Sequence, residues 1–70
     1  MLQQSSLVMP HKFAIGQIVH FRPAGHDRSA TGVYIVTKRL PEKDGEFQYR
    51  IKHPTEPHER TARESELRGA

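Results

Sequence analysis

The 70-residue chain contains no cysteine and no tryptophan. Without thiols there is neither a disulfide framework nor a thiolate metal site, so a domain of this size must be held together by packing alone. Long apolar runs are missing too. Nothing approaches the roughly 20 consecutive apolar residues of a membrane-spanning helix, and no membrane partner is expected. The opening stretch, MLQQSSLVMPHK, has no basic start leading into an apolar segment, so it does not read as a secretory signal. A cytoplasmic location is the expectation that follows. Charge of one sign is also scarce: 11 Lys and Arg stand against 8 Asp and Glu, for a formal net charge of +3. That excess permits an acidic partner without demanding one.

Catalytic signatures are absent as well. Ser29, Thr31, Thr61 and Ser65 have no glycine-bracketed strained turn around them and no base placed beside them by local spacing. The carboxylates Glu56, Glu59, Glu64 and Glu66 are interleaved with Arg60, Arg63 and Arg68, which reads as charge pairing on a solvated face. No glycine-rich phosphate loop is present. Five histidines stand at positions 11, 20, 26, 53 and 58, and only His53 and His58, flanking a proline turn, come near each other. Structural zinc wants four converging nitrogen or sulfur ligands. The expectation is a non-enzymatic chain with no cofactor and no metal.

What the chain does have is strand chemistry. Val33-Tyr34-Ile35-Val36 is a run of β-branched and aromatic residues, which suit a pleated surface. Phe47, Tyr49 and Ile51 alternate with Gln48, Arg50 and Lys52, the period of two of a strand with one face in the core. Asp44-Gly45 joins these runs into a hairpin. A two-residue loop there pairs Leu40 with Tyr49 and sets Arg39 against Arg50, and like charges facing each other are destabilising. A four-residue loop, Glu42 to Gly45, pairs Leu40 with Phe47, Arg39 with Gln48, Thr37 with Arg50 and Val36 with Ile51. That register is the expected one. It places Arg39, Arg50 and Lys52 together on the solvent face as a basic strip.

Around this hairpin the remaining elements fall in order. Residues 1–11 have no period and are expected as a disordered tail. Phe13 to Arg22 opens the domain, with Gly16 permitting a bend, Val19 and Phe21 turned inward, and Phe13 or Ile15 closing one end of the core. Pro23 to Gly32 is loop chemistry, and His26, Asp27 and Arg28 are candidates on it. Pro54-Thr55-Glu56-Pro57 separates the hairpin from a fourth strand over His58–Arg63, with Glu59 opposite Lys52 and Ala62 near Tyr49. Ser65-Glu66-Leu67 suggests a helical turn that drops Leu67 into the core, and a short fifth strand can follow. The sum is an all-β domain over residues 12–68: a small barrel of four to five short antiparallel strands with a terminal helical turn.

FAIGQIVHF, GVYIVTKRLP and EFQYRIKHPTEPHERTARESEL together resemble a family of short bacterial proteins with an SH3-like barrel. The resemblance runs from about Phe13 to Leu67 and is most specific in the YRIK, EPHER and ESEL tracts. It implies a fold, and no activity, substrate or cofactor. The chain departs from eukaryotic SH3 domains in having no tryptophan-bearing peptide groove, and from methyl-lysine readers in having no aromatic cage.

Two binding classes remain. Small barrels offer loop-framed grooves and sheet edges that accept a protein or peptide, and Tyr34, His26 and the PTEP turn can frame one here. Nucleic acid needs cations interleaved with exposed rings. Arg22, Lys38, Arg39, Arg50 and Lys52 supply the cations, and Tyr34 alone is spare as an outward ring. The expectation is a monomeric interaction module for a protein or peptide. RNA or single-stranded DNA is the alternative, and the candidate contact residues are Arg22, Tyr34, Arg39, Arg50 and Lys52.

Overall fold

The computed structural model describes residues 11–25 and 28–70. Of the tail expected over residues 1–11, residues 1–10 fall outside them, as do His26, Asp27 and the Arg28 side chain, while His11 is described and packs on Phe47. Among the described residues five strands form one antiparallel sheet: β1 (Ile18–Phe21), β2 (Gly32–Lys43), β3 (Glu46–Lys52), β4 (Glu59–Arg63) and β5 (Leu67–Gly69). Their spatial order is β4-β3-β2-β1-β5. The fold is therefore the expected small, all-β, barrel-like domain, with a 3₁₀ turn at Glu64–Glu66 leading into the fifth strand.

The core follows from the period-two parity of each strand. Val19 and Phe21 of β1, Tyr34 and Val36 of β2, Tyr49 and Ile51 of β3, Ala62 of β4 and Leu67 of β5 are all buried, joined by Phe13 and Ala30. Of the two residues expected to close the core, Phe13 does so and Ile15 stays in solvent. Glu59 lies opposite Lys52 and Ala62 opposite Tyr49.

The central hairpin corrects the expected register. Its turn is the two-residue Asp44-Gly45, with φ of 53° and 86°, and Lys43 pairs with Glu46. Both positive φ values suit the mirror-image turns whose twist matches that of the flanking strands. At the base, Val36 pairs with Ile51 as expected. The two ends are reconciled by two irregularities in β2, between Val36 and Lys38 and between Leu40 and Lys43. Each adds one residue to β2 relative to β3, as β-bulges do. Thr37, in the first, donates its hydroxyl to the Arg50 carbonyl at 3.1 Å. The second contains Pro41, which has no N–H for the ladder. Between the bulges Arg39 pairs with Tyr49, Leu40 with Gln48 and Lys38 with Arg50. The four-residue loop and its pairings Leu40–Phe47, Arg39–Gln48 and Thr37–Arg50 do not form.

The chain enters the sheet through a short arm fastened to β3. The Tyr49 hydroxyl accepts the backbone N–H of Lys12 at 2.8 Å and of Phe13 at 3.2 Å, and donates to the Glu64 carboxylate. Lys12 N also reaches Glu64 Oε2 at 3.0 Å. The His11 ring stacks on Phe47, with centroids 4.1 Å apart, and its Nε2 lies 2.6 Å from the Leu40 carbonyl oxygen. Gly16, at φ 91°, then bends the chain so that its N–H meets the Val36 carbonyl at 2.7 Å.

Candidate binding surfaces

Residues paired across an antiparallel ladder share a face, so the register defines the outer surface of the sheet. One row runs Thr61, Arg50, Lys38, and the next runs Glu59, Lys52, Ile35, Ile18. A third holds Val33, His20 and Arg68. The centre of this face is apolar: Ile18 is 47% and Val33 42% exposed, with Ile35 half-buried beside them. Lys52, Arg50 and Lys38 border it on one side, His20 and Arg68 on the other. Singly exposed aliphatics are ordinary, whereas adjoining ones rimmed by polar groups mark contact surfaces.

Of the five residues expected to make contacts, Arg50 and Lys52 do share this face. Arg39 does not. Opposite Tyr49, it belongs to the other side of the sheet, where it is exposed, and Lys38 takes the place expected of it. The slip of one residue at the Thr37 bulge is the cause, because side chains alternate faces. Arg50 also spends part of its charge on Glu59, at 3.6 Å.

Tyr34 is a second correction. It is 2% exposed, packs edge-on against Phe21 and His53, and donates its hydroxyl to the Ala30 carbonyl at 2.8 Å. It can frame no groove and stack on no base. His53, whose Nδ1 lies 3.1 Å from the Thr55 N–H, is engaged in the proline turn and against the Tyr34 ring.

Arg22 stands apart from the strip, just beyond β1. It borders a groove of about 620 Å³ whose walls include His20, Thr31, Ser65, Glu66 and Arg68. The one carboxylate among its described lining residues is already occupied. Glu66 Oε1 accepts the Arg63 N–H and Oε2 the Ala24 N–H, each at 2.9 Å. The Arg22 N–H donates to the Glu66 carbonyl at 2.9 Å, which fixes the strand end against the 3₁₀ turn. Among the described residues the guanidinium groups of Arg22 and Arg68 have no carboxylate partner, whereas Arg50, Arg60 and Arg63 each have one.

Ile18, Val33, Ile35, His20 and Arg68 were not singled out from the sequence, although parity contained the signal. Once Val19 and Phe21 are buried, Ile18 and His20 must face out. Once Tyr34 and Val36 are buried, Val33 and Ile35 must as well. Burial itself pushes the Tyr49 phenol above the usual tyrosine range, and the adjoining Glu64 carboxylate adds to that; the two backbone amides act in the opposite direction. Among the described residues no group of three or more His, Cys, Asp or Glu is disposed to hold a metal ion, and no helix is long and apolar enough to cross a membrane. No family model, curated protein or solved structure matches the chain.

Proposed function

We propose that this chain is a non-catalytic interaction module that binds a protein or peptide in the cytoplasm, and that it is akin to the short bacterial SH3-like proteins it resembles. The observation that carries the reading is the outer face: Ile18, Val33 and Ile35, bordered by Lys52, Arg50 and Lys38 on one side and by His20 and Arg68 on the other. Its chemistry suits a short segment whose apolar side chains are flanked by acidic ones. Apolar burial provides the driving force, and charge complementarity provides register and on-rate.

Nucleic acid ranks second because of where the rings are. Phe13, Phe21, Tyr34 and Tyr49 are in the core and Phe47 lies under His11, so the chain's aromatics offer no open stacking platform. What remains for that reading is phosphate contact by Lys38, Arg50 and Lys52.

An amide-resolved NMR titration separates the two. A short peptide with central Leu residues flanked by Glu is expected to shift Ile18, Val33, Ile35 and Lys52, and paired Ile18→Ser and Val33→Ser substitutions are expected to abolish those shifts. If the peptide is silent while mixed RNA and single-stranded DNA oligomers shift Lys38, Arg50 and Lys52, fading as salt rises, the protein-binding reading fails and the phosphate reading replaces it.

A further inference from the structure

The geometry points to a second site in the groove between the end of β1 and the Glu64–Glu66 turn, where we propose that Arg22, Arg68, His20 and Thr31 bind the dianion of a phosphate monoester. Two of these residues, His20 and Arg68, also rim the outer face, whereas Arg22 and Thr31 lie outside its rows.

Three observations carry it. The groove is concave and about 620 Å³ in volume, with room for a phosphate and part of the group that bears it. Its charge is positive and unspent: among the described residues Arg22 and Arg68 have no carboxylate partner. The acid that would otherwise neutralise them, Glu66, has both oxygens committed to backbone N–H groups at 2.9 Å. The carboxylate keeps its charge, but the Arg63 guanidinium lies 4.0 Å from it, so Arg63 balances it and Arg22 and Arg68 do not.

The donors also fit the ligand. A phosphate monoester brings up to about two negative charges and three strong acceptor oxygens near neutral pH. Two guanidinium groups present planar forks suited to such oxygens, and each supports bidentate, charge-assisted hydrogen bonds. His20 and Arg68 are direct ladder partners, so backbone pairing sets their spacing. Arg22 is held by its N–H bond to the Glu66 carbonyl. Thr31, which also lines the groove, brings a hydroxyl, while that of Ser65 is already donated to Glu46. A monoanionic carboxylate leaves most of this donor set unused.

The test is an amide NMR titration of the full chain at constant ionic strength, with inorganic phosphate, a phosphoserine peptide and acetate as separate probes. Inorganic phosphate is expected to give saturable shifts centred on His20, Arg22, Thr31 and Arg68, with at least a tenfold weaker response to acetate. R22Q/R68Q is expected to weaken phosphate binding tenfold or more, and K52Q on the outer face to leave it unchanged. Tighter binding of the phosphoserine peptide than of phosphate identifies a peptide source, and equal binding a small phosphorylated molecule. Shifts that rise linearly without saturating, spread equally to Lys38 and Lys52, or survive R22Q/R68Q overturn the site. Should the double variant lose its fold, the single R68Q, on an exposed strand position, gives the same reading.

Discussion

Tyr49 shows how one side chain serves packing and polar satisfaction together. Its ring is fully buried, and its hydroxyl sits where two backbone N–H groups and the Glu64 carboxylate meet. Removing that oxygen leaves the amides and the carboxylate without their shared partner, so Tyr49→Phe is expected to cost about 1–3 kcal/mol in urea unfolding near pH 8. The same group makes stability depend on alkaline pH. The folded-state pKa lies above the unfolded one, so the folded chain holds the phenolic proton after the unfolded chain has begun to release it. The contribution is complete below about pH 10, the ordinary tyrosine value, and is lost as pH rises through the higher folded value. Parent and Tyr49→Phe are therefore expected to converge in stability above about pH 10. Curves that stay parallel to higher pH would show that the phenol does not carry this dependence.

At the scale of an element, the hairpin shows which of two competing preferences wins. Lys38 and Arg50 lie directly opposite, and that arrangement costs up to about 1 kcal/mol. Avoiding it requires giving up the Asp-Gly turn or the Val36–Ile51 pair. Those two residues are no more than 1% exposed, and burying each contributes about 1.5–3 kcal/mol. Core packing at one end and turn geometry at the other thus outweigh charge in the middle, and two bulges absorb the difference. Lys38→Glu is expected to convert the repulsive pair into an attractive one and raise stability by about 0.2–1 kcal/mol, with the gain shrinking as salt is added. A loss of stability in thermal unfolding at low salt would mean that the two side chains do not face each other in solution.

For the whole molecule, the arm before β1 is as much part of the fold as the strands. Phe13 is 5% exposed and meets Tyr49 edge-on, with ring centroids 5.5 Å apart, although the two residues are far apart in sequence. In a chain this short, folding buries only about 60% of the surface the unfolded chain exposes, so each large buried ring carries a substantial share of stability. Phe13→Ala is expected to cost about 3–5 kcal/mol, enough to leave a domain this small largely unfolded at 25 °C by circular dichroism. A variant that melts like the parent would show that the arm is dispensable.

The sequence by itself determined the strands and most of what they bury. Alternation in β3 and the β-branched run in β2 are local signals, and they lead to Val19, Phe21, Tyr49, Ile51 and Leu67 inside and to the Glu59–Lys52 and Ala62–Tyr49 pairings; the hairpin's place at Asp44-Gly45 is legible too, but its turn has two residues where four were expected. The surfaces were legible only in part. Arg50 and Lys52 follow from parity alone, but Arg39 moved to the opposite face because bulges are set by the fit of two strands to each other, and neither strand shows them alone. Tyr34 looked spare from the sequence and is in the core because Phe21, Ala30 and His53 converge on it from three other segments. The groove of Arg22, Arg68, His20 and Thr31 unites positions spread from residue 20 to residue 68, and only antiparallel pairing of β5 with β1 brings them together. Parity is a local property of the backbone and can be read along the chain; register, bulges and convergence are long-range and belong to the folded sheet.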